Sequence, residues 1–263
     1  MAAEALSVGS LRRRSRAGLS NRQQSMIGVA AVLVFLPLVF RMEPRNFTPF
    51  TELAIWRFLG EGVVTVLVVS IVAIVASLPM AAALALGRLS SQRPIRLACT
   101  AFVEGIRALP LLLLIFYVFL SLPRDLPAFL SRETIALTAA LMVYTAAVNA
   151  ETLRAGILAL DPCQMEGARS LGLGHWGAMR YVVLPQVFRD TLPSLIAQFT
   201  TLVKDTSLGS VISMVELVQR GIIIFQGFRN PMETLYIVAL LFFFLNFAME
   251  QISISLRPSA AER

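Results

Sequence analysis

Long apolar runs, separated by short polar segments that carry arginine, organise this chain of 263 residues. One run covers 26–40. Later runs read as spans over 63–87, 97–121, 134–158, 192–215 and 234–255. Each later run approaches or exceeds the roughly 20 residues a helix needs to cross the hydrocarbon core. They contain Gly, Pro and β-branched residues that weaken soluble helices, but a bilayer helix tolerates them because its backbone groups must pair internally anyway. Pro79 and Pro110 are expected to mark kinks or breaks. The pattern predicts an all-α integral membrane protein of about six transmembrane helices.

The first run needs a separate reading. Residues 1–25 are polar and hold Arg12, Arg13, Arg14, Arg16 and Arg22. A basic stretch before an apolar run also describes a secretory signal. The tail is long, however, and Arg41-Met42-Glu43-Pro44 stands where a small-x-small cleavage site would follow, so an uncleaved first span over 26–41 is favoured. With the N-terminus inside, the cytoplasmic segments hold fourteen arginines and the outer segments seven. That excess is what the positive-inside rule asks of spans with both ends cytoplasmic. The expected layout is a basic cytoplasmic tail over 1–25, the extra span, a transmembrane domain over 60–256 and a cytoplasmic tail over 257–263.

Composition agrees. The chain is 57% hydrophobic, with 23 Lys and Arg against 16 Asp and Glu and a net charge of +7; the mean hydropathy is +0.73. In a soluble domain such a balance would suggest nucleic acid. Here the arginines gather at the ends of apolar runs, which speaks for membrane orientation and against nucleic acid. Cys99 and Cys163 both fall on the expected cytoplasmic side, where thiols stay reduced. The lone His175 has no co-ligand near it in sequence and reads as a loop residue. No internal repeat of the kind secondary transporters use is present. The outer segment 216–233 mixes charge with bulky apolar residues and is expected to lie along the membrane surface.

The polar loop 159–191 carries the most information. Asp161-Pro162 is a helix-start pair, residues 163–171 suit a short helix, and Gly172 and Gly174 would end it. Residues 175–182 suit a second short helix, stopped by Leu184-Pro185. The result would be a compact knob beneath the membrane, shaped to fit a socket in another protein.

This loop resembles the cytoplasmic coupling loop of ABC importer permeases, whose pattern is Glu-Ala-Ala, three residues, Gly, nine residues, Ile-x-Leu-Pro. Glu166, Gly167, Ala168, Gly172, Leu184 and Pro185 occupy the matching positions. Gly167 replaces the first Ala, and Val182 replaces Ile. Other segments resemble the polar amino acid branch of that family: Glu61-Gly62-Val63-Val64-Thr65, Glu104-Gly105-Ile106-Arg107-Ala108-Leu109-Pro110-Leu111-Leu112, Ala150-Glu151-Thr152-Leu153-Arg154-Ala155-Gly156-Ile157 and Lys204-Asp205-Thr206-Ser207-Leu208. Ile106, Ala108 and Leu109 stand where the family has Phe, Gly and Thr, and Leu114 where Gln is frequent. The resemblance covers about residues 60 to 256 and implies the five-helix core of a type I importer permease in a bacterial inner membrane, with 26–41 as an addition.

Charges within spans are costly, roughly 2.5–3.5 kcal/mol each on insertion scales, so they face a cavity or a partner charge. Glu104 and Arg107 are three apart on one helix face and can pair; Glu151 and Arg154 repeat that spacing. Lys204 and Asp205 are adjacent and need partners elsewhere. Two roles stay open for these six residues: lining or gating a substrate pathway, or locking helices together as static ion pairs. Arg107 would either meet a substrate carboxylate or neutralise Glu104. Glu166 would either bond a partner or brace its own loop.

No Gly-x-x-x-x-Gly-Lys-[Ser/Thr] phosphate loop, His-Glu-x-x-His or Gly-x-Ser-x-Gly occurs, which removes the usual motifs for ATP hydrolysis, zinc proteolysis and serine hydrolysis. The resemblance therefore implies a permease without enzymatic activity or bound cofactor, ATP and magnesium being held by ABC ATPase subunits. It further implies a second permease copy or paralogue, an extracytoplasmic solute-binding protein, surrounding lipid and a glutamate-, aspartate-, glutamine- or histidine-type substrate. The competing reading is a stand-alone secondary carrier or channel that uses the intramembrane charges for ion coupling.

Overall fold

The computed structural model describes residues 42–124 and 131–255. The expected first span and both expected tails lie outside them, as does residue 256 at the end of the expected transmembrane domain. The chain divides into two compact units, Met1–Arg45 and Asn46–Arg263. Of the first, only 42–45 are described, with an ion pair of 2.7 Å between Arg45 and Glu43. The helices described here all belong to the second.

A 36-residue helix, α1 (Leu53–Arg88), carries the first core run. Its buried face is made of Gly62, Ser70, Ala73, Ser77, Ala81 and Ala85 with Leu59, Val66 and Val69. Small side chains let a neighbouring backbone approach closely, the main source of helix association where lipid is as apolar as the side chains. The neighbour is α4 (Arg132–Ala159), equally rich in buried alanine at 136, 140, 146, 147 and 150. Ser131 caps α4, its side chain accepting the Thr134 N–H. Pro79 sits inside an unbroken α1.

Pro110, in contrast, splits the expected span 97–121. Helix α2 (Arg93–Ala108) ends there and α3 (Leu111–Ser121) leaves at 106° to it. Leu109 is extended, at φ −80 and ψ 137, as a residue before proline prefers. The Pro110 carbonyl then accepts the Leu113 N–H at 2.9 Å and starts the next turn.

The expected cytoplasmic loop forms α5 (Pro162–Ser170) and a short α6 (His175–Ala178). The expected stop at Leu184-Pro185 is absent. A π-turn over Met179–Val183 joins α6 directly to α7 (Leu184–Asp205). Pro185 lacks an N–H and its ring would crowd the carbonyl four residues back, so the wider π register lets the helix pass. After a 3-10 turn, Thr206–Ile212, α8 (Leu217–Phe228) continues at 48° to the preceding helix. The expected surface segment is therefore the second half of a bent pair, packed against α1 and α9 (Pro231–Ser255) through Leu217, Gly221 and Ile224.

Among the described residues, three helices are long and apolar enough to cross a membrane, Leu53–Arg88, Arg132–Ala159 and Pro231–Met249. Each bent pair taken as one span raises this to five.

Candidate functional site

Asp161 begins the loop by capping α5, accepting the Cys163 N–H at 2.9 Å. That bond holds its carboxyl below the usual carboxylate range, while the same carboxylate pushes the Cys163 thiol up. Helix α5 ends in a Schellman arrangement: Leu173 N–H reaches the Ala168 carbonyl at 3.3 Å and Gly172 N–H reaches that of Arg169 at 3.0 Å. The closure requires a left-handed residue, and Gly172 supplies it at φ +86. Ala168, Ala178 and Met179 are buried and anchor the loop. Its outer face displays Leu171, Trp176 and Tyr181, at 86%, 69% and 69% exposure. Glu166 and Gly167 are exposed, Leu184 is half-buried where α7 begins, and Pro185 is exposed. The Glu166 carboxylate makes no hydrogen bond or ion pair among the described residues, so it does not brace its own loop.

A second group of charged residues lies where α1, α2 and α4 meet. Glu151 and Arg154 pair as their spacing predicts, at 2.6 Å. Glu104 does not pair with Arg107. It meets Arg88, the last residue of α1, at 3.2 Å, and Arg88 also binds Glu151 at 2.5 Å. One guanidinium thus joins three helices, with a fork geometry that suits two carboxylates at once. Arg107 is exposed and makes no ion pair among the described residues. Sequence reasoning missed Arg88 because its partner Glu151 is 63 residues away, and it stood only in the arginine count. Its position closing an apolar run was the one available signal.

Glu151 also forms one wall of an open groove of about 640 Å³ between α4 and α7. The groove runs to Asp161 and is lined further by Thr152, Gly156, Asp190 and Thr191. It connects the charged group to the start of the loop.

Lys204 and Asp205 are not brought into this group. They end α7, thirteen residues beyond Thr191, about 20 Å at the helical rise. Lys204 is exposed and Asp205 half-buried. A further charged contact unites α8 with α1: Arg220 donates to the Glu61 carboxylate at 2.7 Å and the Phe58 carbonyl at 3.0 Å. Its guanidinium also lies 4.5 Å from the Phe58 ring centroid. Here too the partners are distant in sequence.

The chain is similar to known proteins in sequence and in fold. The glutamate transport system permease protein GluD of Corynebacterium glutamicum is 32% identical over 80% of this chain and 77% of its own length. The probable glutamine ABC transporter permease protein GlnM of Bacillus subtilis is 34% identical over 70% of this chain and 85% of its own. A crystal structure of an amino acid ABC transporter with histidines superposes with a TM-score of 0.71 at 28% identity, covering 82% of this chain and 98% of the other. Residues 73–257 match the family described as binding-protein-dependent transport system inner membrane component. The chain belongs to that family, a membrane permease of an ABC importer whose ATP hydrolysis resides in a separate subunit.

Proposed function

We propose that this chain forms the translocation path for a polar amino acid and receives its driving force through the loop 159–185. The observation that carries the reading is the loop's construction. A helix fixed by a side-chain cap at one end and a Schellman closure at the other holds Leu171, Trp176 and Tyr181 outward. Exposed apolar and aromatic side chains on a rigid, satisfied backbone are the anchors a protein interface uses. Glu166, whose carboxylate has no partner among the described residues, is available to a basic group of the ATPase. ATP and magnesium belong to that subunit, and both termini of this chain lie on its side of the membrane, consistent with the arginine distribution.

A second permease, identical or related, completes the path within the lipid, and a binding protein delivers substrate from outside. The substrate class follows from the relatives, whose names specify glutamate and glutamine. Glu104, Arg107, Glu151, Arg154, Lys204 and Asp205 divide into two roles in this proposal, with Asp205, half-buried beside Lys204, on the side of the path. Glu104 and Glu151 act as helix ties through Arg88, and Arg154 holds Glu151 from within α4. Arg107 and Lys204, exposed cations near or within spans, meet the substrate's carboxylate along the path.

Copurification of the ATPase with this chain tests the loop assignment. Leu171→Asp, on a side chain 86% exposed, is expected to abolish association and leave membrane insertion unchanged. Undiminished copurification would contradict it. Competition among glutamate, glutamine and histidine for uptake tests the substrate class.

A further inference from the structure

Helix α2 is lightly anchored. Of its 16 residues only Val103 is buried, and its C-terminal end leads straight into the 106° break at Leu109-Pro110. At its N-terminal half, the Cys99 sulfur lies against the Cα of Gly87 with no room for a Cβ between them. Arg96 reaches back only as far as the Ser90 carbonyl, in the connection to α1. Among the described residues, the one ion pair tying α2 to the other helices is Glu104 with Arg88.

We propose that Arg88 is a positioning residue for substrate release, one half of a latch that opens on the α2 side alone. The proposal rests on the permease reading. The two contacts of Arg88 are unequal. Its bond to Glu151 is 2.5 Å long between side chains 9% and 28% exposed, and the other Glu151 oxygen is held by Arg154. Its bond to Glu104 is 3.2 Å long, to a side chain 63% exposed. Water and salt screen the exposed contact, so it adds little stability. The shielded contact is costly to break, because a buried guanidinium would be left without a counter-charge. Letting Glu104 go leaves Arg88 still paired with Glu151. Helix α2 can then swing about Leu109-Pro110, while α1 and α4 remain tied. Glu151 links this event to the loop, because it also walls the groove that ends at Asp161.

The native thiols supply the test. In the assembled transporter in nanodiscs, Cys163→Ser leaves Cys99 as the only cysteine of this chain. Labelling of Cys99 by a water-soluble maleimide, measured on this chain's own gel band, reports separation of α2 from Gly87. Glu104→Gln is expected to raise the labelling rate about two- to fivefold, the range for losing a partly exposed pair, with Glu104→Asp intermediate. Raising the salt should speed labelling of the Cys163→Ser protein and add nothing in Glu104→Gln. Unchanged labelling in Glu104→Gln, or an equal salt response in both proteins, overturns the latch. Labelling is measured without transport, so such a failure would leave ATP-driven uptake, and the permease reading, standing. Absence of that uptake would instead fail the reading.

Discussion

At Gly172 the backbone holds φ +86, a region where a side chain costs about 1–2 kcal/mol. A Cβ there would meet open space, so the cost of substitution is conformational and contact-free. Gly172→Val should therefore insert normally yet weaken productive ATPase docking by about tenfold, the weight of 1–2 kcal/mol; uptake and ATPase copurification check this. Gly167 lies within α5, and a Cβ there also meets nothing within 4 Å. Gly167→Ala should stabilise the short helix by up to about 1 kcal/mol, read as slower amide exchange over 162–170. Asp161 and Cys163 give a pH test. The Asp161 carboxylate raises the Cys163 thiol, so alkylation by iodoacetamide should need more alkaline solution than a free thiol does. Asp161→Asn should move that profile toward lower pH. The cap itself has the opposite sense: with the Asp161 carboxyl held low, its contribution is full above the ordinary carboxylate range and is lost on acidification through the lowered value. At this scale Asp161, Gly172 and the Glu151–Arg154 pair were legible in the sequence, because each acts within four residues. Arg88 and Arg220 were not, because their partners come from other helices.

Among the helices, small residues decide the spacing. A Cβ on Gly62 would stand 2.8 Å from the Leu217 Cα, and one on Gly156 would stand 2.7 Å from the Thr191 methyl. Backbone cannot yield at the first site as a side chain might at the second. Gly62→Val should thus destabilise the α1–α8 contact by about 1–3 kcal/mol, measurable as a lower midpoint in detergent unfolding, and Gly156→Ala should cost less. The apolar runs located the main helices because lipid burial is a local demand on every residue. Their interruptions were less visible. Pro79, Pro110 and Pro185 look alike in sequence, yet one lies within a continuous helix, one breaks a span and one follows a π-turn. What separates them is whether the surrounding backbone can satisfy or bypass the missing donor. The same limit applies to 216–233, whose composition does not disclose that Leu217 and Gly221 pack against α1 and α9.

For the whole molecule, the fold supplies two outward requirements. The loop presents apolar anchors and a Glu166 carboxylate that nothing among the described residues covers, and in the proposed function the exposed Arg107 and Lys204 line a path that a second permease completes. Membership of the permease family accounts for both, since drive and delivery come from other subunits. The most direct measurement is amino acid uptake into proteoliposomes holding this chain alone, or holding it with its ATPase and binding protein. Uptake of a polar amino acid only in the complete assembly, and only with ATP, is the predicted result. Uptake by this chain alone, driven by an ion gradient, would contradict it.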